Sequence, residues 1–153
     1  MKVIDNIDIR ILKILQKTGR ITNFDLSEEI NLSSSACHRR VSRLEADKII
    51  KHYVAILDPI KIGLSTTVFV EITLNGQTDE VLDKFEEEIK KIPNVLECNL
   101  MAGSADYLLK VVAKDTDDFA KIHRESLSRL PGVAQIQSSF SLKTVFRGTD
   151  FPV

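Results

Sequence analysis

The residues best equipped for chemistry stand in "SSSACHRRVSR", residues 33–43, which holds serines, one histidine and three arginines but no acid. Guanidinium groups pair with phosphate oxygens and, bidentately, with guanine edges. Hydroxyls and free backbone N–H groups at a helix start hold the same oxygens, helped by the positive end of the helix dipole. Together they point to an anionic polymer as partner. A solvated basic helix with no further role is the plainer reading of the same residues.

A second stretch, "GSADY" at residues 103–107, combines glycine, two small residues, an acid and an aromatic ring. From residue types alone it reads as a hairpin turn running into a strand tyrosine, because Gly, Ser and Asp are the usual turn residues; a ligand loop is the other reading. No GxSxG, P-loop, strand-following GxGxxG or HExxH occurs, so no catalytic set is expected, and no cofactor or metal. Cys37 and Cys98 share no metal-ligand or redox spacing, which fits a reducing cytosol. His123 lies on an apolar helical stripe and reads as a hydrogen-bonded structural histidine. His38 either touches the anionic partner or merely flanks its helix.

The charge distribution agrees with a one-ended anion binder. The chain of 153 residues carries a net charge of −1, yet residues 1–55 hold ten Lys/Arg against seven Asp/Glu, and residues 56–153 eleven against fifteen. A basic third on an acidic remainder suits a polyanion held at one end. No apolar run approaches the roughly 18 residues of a membrane span. The start, "MKVIDNIDIR", carries acids where a signal peptide would be apolar.

These residues need elements to position them. Ile7, Ile11, Ile14 and Leu15 follow helical spacing behind an Asp5 N-cap with Asp8 three positions on, and Gly19 offers a left-handed stop. Thr22 caps a short second helix, with Asp25 at the capping-box position and Leu26 and Ile30 inside. Ser33 caps a third. On its wheel Cys37, Val41 and Leu44 face inward, Ser35, Arg39, Ser42 and Arg43 face outward, and His38 and Arg40 flank. The acids Glu28, Glu29, Glu45 and Asp47 fall outside that face. Short helix, tight turn and third helix form a helix-turn-helix, with the basic helix in the recognition position.

Beyond residue 50 the period changes. Residues 50–57 alternate as a strand, stopped by Asp58-Pro59, with Gly63 as hinge; such a strand should pair with something, a partner subunit being one candidate. Strands then read at 66–74, 95–102, 107–114 and 133–145, with helices in the two gaps. The order βαββαβ signifies a ferredoxin-like sandwich. "TDE" at 78–80 recurs as "TDD" at 116–118, and "IPNV" at 92–95 as "LPGV" at 130–133, at one 38-residue offset. Thr78 and Thr116 are the expected caps. Leu82, Phe85, Ile89 and Ile92 line one helix, and Phe119, His123, Leu127 and Leu130 the other. Val68, Val70 and Ile72, with Leu108, Lys110 and Val112, occupy alternate strand positions; the helices cover one sheet face, and a second copy should cover the other.

At this point the chain resembles the Lrp/AsnC family of transcriptional regulators. The resemblance is carried by "IDNIDIRILKILQKTGR", "LSSSACHRRVSRLEADKII", "YVAILDP", "GSADYLLKVV" and "LPGVAQIQSSFSL", in that order. It implies an α+β protein: a (winged) helix-turn-helix domain at 1–50, a strand and hinge linker at 51–64, and a ferredoxin-like ligand-binding and oligomerisation domain at 65–153. It further implies homodimers paired sheet to sheet, assembling further, often into octamers. Small effectors, typically amino acids, would bind between subunits. By position, one side of that site would be Leu100, Met101, Gly103, Ser104, Ala105, Asp106 and Tyr107, and the other Gln137, Ser138 and Ser139 of a neighbour. Ser104 and Ala105 stand where the family usually has a charged and a larger, often aromatic residue, which implies a roomier pocket, another ligand or none. A cytoplasmic, nucleoid-associated prokaryotic protein is implied as well.

The expected function is sequence-specific binding of double-stranded DNA through Ser33, Ser34, Ser35, His38, Arg39, Arg40, Ser42 and Arg43, modulated by an amino-acid effector. A chromosome-organising protein that wraps DNA with little sequence preference shares all these features. An amino-acid-sensing accessory module or small enzyme on the same scaffold is the third reading.

Overall fold

The computed structural model describes residues 4–153 and divides into two compact units. One runs to Ile56 and takes in Phe146–Val153; the other is Leu57–Val145. The start of the expected first domain, residues 1–3, lies outside the described residues. The tail joins the first unit through one amide. Gln16 donates to the Phe151 carbonyl (3.2 Å) and accepts the Phe151 N–H (2.6 Å). Sequence reading placed the tail with the second domain, because its partner lies 135 residues away and leaves no local signal.

The first unit has helices α1 (Asn6–Lys17), α2 (Asn23–Ile30) and α3 (Ser34–Ala46). Each starts where a cap commands it. Asp5 accepts from the N–H groups of Ile7 and Asp8, and Asp8 accepts from the Asp5 N–H, closing the capping box. Thr22 accepts from the Asp25 N–H and Ser33 from the Ala36 N–H. Gly19 does not supply the left-handed stop expected of it: the cap of α1 is Thr18, and the positive-φ glycines are Gly63 and Gly132. Asn31 makes the left-handed turn between α2 and α3, at φ 57°. Ile11, Leu26, Ile30, Cys37 and Leu44 form the core, with Ile7, Leu15 and Val41 packed on it. Burying each such aliphatic side chain contributes about 1.5–3 kcal/mol, which holds three short helices that would not persist alone.

No strand forms before Thr66 among the described residues, so neither a wing nor the linker has a paired ladder. Residues 51–58 run without sheet hydrogen bonds, contrary to the strand expected at 50–57. The alternation is real, but one chain offers no second strand to satisfy its backbone. Val54, Ile56 and Leu57 stay exposed. Asp58 accepts from the N–H groups of Ile60 (3.0 Å) and Lys61 (3.3 Å), an Asx turn, and Gly63 follows at φ 78°.

The second unit is a four-stranded antiparallel sheet of order β2-β3-β1-β4 with two helices on one face. Its elements are β1 (Thr66–Leu74), α4 (Asp79–Ile89), β2 (Val95–Leu100), β3 (Tyr107–Ala113), α5 (Thr116–Glu125), a 3-10 turn (Leu127–Arg129) and β4 (Val133–Phe140). β2 and β4 stop short of the expected 102 and 145: each makes one further backbone bond past its end, Met101 N–H to the Asp106 carbonyl and Ser141 N–H to the Thr67 carbonyl, and the ladder goes no further. Asp115, not Thr116, caps α5 by accepting from the Asp118 N–H, and Thr78 caps α4 by position without a side-chain bond. Ile122 takes the buried place assigned to His123, which is half-buried against the Phe119 ring at 6.2 Å.

Register decides the faces. Val68, Val70 and Ile72 pair with Val111, Leu109 and Tyr107, and all six are buried under the helices with Phe85, Ile89 and Phe119. Leu108, Lys110 and Val112 therefore lie on the opposite, open face, opposite Glu71, Phe69 and Thr67. The two sets named in sequence belong to different faces. Spacing within one strand cannot say how two strands are shifted.

Candidate functional site

On α3, Ser33 is spent as the cap. Ser34 helps lock the turn: its hydroxyl lies 3.2 Å from that of Ser27, and its carbonyl accepts from the Asn23 amide at 2.9 Å. Ser35, His38 and Arg39 are exposed, and Ser42 is half-buried. Arg39 has no ion pair among the described residues, so its guanidinium is available to an outside anion.

Arg40 and Arg43 are differently placed. Asp8 on α1 is fully buried, and both arginines converge on its carboxylate, Arg40 at 2.9 Å and Arg43 on the other oxygen. Arg40 also reaches Asp5 at 2.7 Å. The Asp8 backbone N–H and the Arg40 guanidinium hold the Asp5 carboxyl down to about 2. Two of the three arginines expected to read DNA thus clamp α3 to α1. Arg43 keeps half its side chain in solvent, whereas Arg40 is three-quarters covered. Sequence reading saw Asp5 and Asp8 only as a cap. Their partners lie 32 and 35 residues on, a separation helical periodicity cannot register.

In the second unit, the loop at 101–106 rises beside the open sheet face. Two shallow recesses meet there. One, of about 150 Å³, is lined by Glu71, Thr73, Ser104, Ala105, Gln135 and Gln137. The other, of about 110 Å³, is lined by Glu71, Met101, Gly103, Ser104, Ala105 and Leu108. Met101, Gly103, Ser104, Ala105 and Gln137 are thus brought together, with Gln137 beside the loop of its own chain rather than only a neighbour's.

Other expected ligand residues point elsewhere. The Asp106 carboxylate is buried, accepting the Leu74 N–H (2.7 Å) and the Gln77 amide (2.6 Å). Its backbone N–H donates to Ile72 and its carbonyl accepts from Met101. Asp106 therefore pins the loop to the end of β1 and has no free oxygen-facing role in the recesses. Tyr107 is in the core, 4.5 Å from the Phe85 ring, with its hydroxyl donating to Glu86 at 2.9 Å. Burial first, then Glu86, pushes its phenol pKa up. Ser138 pairs with Val70 and so lies on the helix-covered face, and Leu100 pairs with the core residue Tyr107 on that side. Ser139 faces the open side opposite Phe69, one register row beyond Gln137 on that face. Glu71, Thr73 and Gln135 escaped sequence reading. For Glu71 and Thr73 the signal was the polar alternation of "VEITL" in a strand whose other face is apolar, and Gln135 lies in "VAQIQ" of β4.

A capped helix-turn-helix with an outward arginine, joined to a ferredoxin-like unit with a polar recess on its open face, defines a DNA-binding regulator with a sensing domain. The comparisons agree. The Lrp/AsnC ligand binding domain matches residues 67–151, and a winged helix-turn-helix DNA-binding domain matches residues 4–51. The chain belongs to the Lrp/AsnC family of transcriptional regulators. The leucine-responsive regulatory protein of Klebsiella pneumoniae is 44% identical over 86% of this chain and 80% of its own. The Bkd operon transcriptional regulator of Pseudomonas aeruginosa is 41% identical over 95% of each chain. A transcriptional regulator of Neisseria meningitidis, solved as its L-methionine complex, superposes with TM-score 0.93 at 35% identity over 98% of this chain and 97% of its own. These relatives are transcriptional regulators, not enzymes. Among the described residues no helix is long and apolar enough to cross a membrane.

Proposed function

We propose that this regulator reads specific DNA through the outer face of α3 and changes its DNA affinity when an amino acid binds beside the 101–106 loop. The exposed Arg39, flanked by Ser35 and His38 on a helix fixed in place by Asp8, is the observation that carries the first half. Arg39 makes the base or phosphate contact. Arg43 adds its solvent-facing edge, Ser42 borders them, and Arg40 and Ser34 hold the helix at its angle. Backbone N–H groups at Ser34 and Ser35 take a phosphate oxygen at the positive helix end.

The recesses around Glu71, Ser104 and Gln137 carry the second half, supported by the methionine bound to the Neisseria relative. The active form is a homodimer that assembles further, up to an octamer, with the open sheet face covered by a second copy. Phe69, on that face, is 41% exposed in the single chain, and the linker residues Val54 and Ile56 are more so. Such a protein works at the chromosome, in the cytoplasm and within the nucleoid.

DNA binding measured against salt tests this. Each phosphate neutralised contributes a slope of about −0.9 in log K against log salt. Arg39→Ala should weaken binding and lower the slope by about 0.9 for each α3 whose Arg39 holds a phosphate, about two units for a dimer; unchanged affinity and slope would remove α3 from the interface.

A further inference from the structure

The chain crosses between its two units twice, after Ile56 and after Val145. Both crossing stretches are fastened to the DNA-binding unit. The outgoing one is held at Tyr53. Its hydroxyl donates to Glu45, in the last turn of α3, at 3.0 Å. Its ring lies against Gly19, where a Cβ would meet Tyr53 Cδ1 at 3.8 Å. Gly19 follows directly on the cap of α1, so one side chain ties the linker to the ends of α1 and α3 together.

The returning stretch, residues 146–153, restrains the units only if its far part is held, and Gln16 in the last turn of α1 holds it. Phe151 precedes Pro152, which presses it toward extended backbone, where a residue's N–H and C=O point to the same side. A glutamine amide carries one acceptor and one donor side by side, the match for that pair. Gln16 accepts the Phe151 N–H at 2.6 Å and donates to its carbonyl at 3.2 Å, and the same carbonyl accepts the Val153 N–H at 2.9 Å. The amide stands in for the facing residue of a strand pair. The Phe151 ring stays 77% exposed and the core of the three helices does without it, so the clip grips main chain and can be lost without unfolding the unit.

A reader on one flexible segment swivels and reaches sites at many separations, whereas one held by two strands does not. We propose that Gln16 and Tyr53 are positioning residues for DNA reading: by fastening tail and linker they limit the swivel of α3, and so make the regulator discriminate the spacing between paired half-sites. The proposal rests on the reading of this regulator as a homodimer that engages DNA through two α3 helices.

Binding of the full chain to three duplexes tests it: one selected half-site alone, an inverted pair about one helical turn apart, and the same pair lengthened by about half a turn. The native protein should hold the in-phase pair at least about a hundredfold more tightly than the shifted pair, because avidity is lost where geometry forbids double engagement. Gln16→Ala, and the chain ended at Gly148, should narrow that ratio to within about tenfold and leave affinity for the single half-site unchanged. Tyr53→Phe, which keeps the ring on Gly19 and loses only the bond to Glu45, should narrow it too. If the native protein prefers no half-site over unrelated DNA, the reading of α3 fails and takes the proposal with it. If it binds both pairs only as tightly as the single half-site, the paired-dimer reading fails in the same way. If the tail variants keep the native ratio, DNA reading stands and the clip is overturned. Weaker binding to the single half-site in those variants also overturns it, since Gln16 would then support the reader's own fold. Should Gln16→Ala not fold, the shortened chain, with α1 untouched, decides. Light scattering should give the native assembly for both tail variants; a change in both overturns the positioning role in favour of one in assembly.

Discussion

Asp8 shows how one carboxylate can redistribute the work of three arginines. It is buried, closes the α1 cap and anchors both Arg40 and Arg43. Removing one partner of a buried ion pair leaves the others uncompensated, at a cost of about 3–5 kcal/mol when all are buried. Here the arginines can recover water, so Asp8→Ala should cost about 2 kcal/mol by denaturant unfolding. Arg39→Ala should leave stability within about 0.5 kcal/mol, as an exposed substitution does. Asp5 adds a pH signature. Its folded carboxyl titrates at about 2, below the ordinary 3.8, so between those values the unfolded chain binds more protons. The stability it supplies is full above 3.8 and is lost as pH falls through about 2. Asp5→Asn should flatten acid unfolding in that window, and an unchanged profile would detach the cap from Arg40.

At the scale of elements, local chemistry was legible and pairing was not. The caps at Asp5, Thr22 and Ser33, and β1 from end to end, follow from short-range patterns of polarity and period. The absence of a strand in the linker, the open-face register and the inward turn of Asp106 turn on partners far along the chain or missing from it, and these leave no mark within a few residues. The repeat "IPNV" and "LPGV" illustrates the difference. Gly132 in the second copy has φ 75°, and a Cβ there would lie 3.1 Å from Val81 Cγ1. Its counterpart, Asn94, instead donates its side chain to the Val112 carbonyl at 2.9 Å. Gly132→Ala should therefore lower stability by about 1–2 kcal/mol, from backbone strain and crowding against α4. A neutral effect would mean the turn relaxes freely.

Both units leave apolar chain exposed. Val54, Ile56, Leu142 and Val145 face solvent in a single copy, alongside the open sheet face with Phe69. Contiguous exposed apolar surface marks an interaction site, and the proposed pairing would cover it. Light scattering at micromolar concentration should give at least a dimer; a stable monomer would contradict the pairing. A dimer with two α3 helices favours half-sites about one helical turn, near 34 Å, or a multiple apart. A chromosome-organising protein would bind without that constraint. The measurement that separates them most directly is selection of bound duplexes from a random pool, followed by sequencing and competition with unrelated DNA. Enrichment of a pseudo-palindrome with that spacing, held at least about a thousandfold more tightly than unrelated sequence, is the predicted result. Retention of the pool without an enriched motif would contradict sequence-specific regulation by α3.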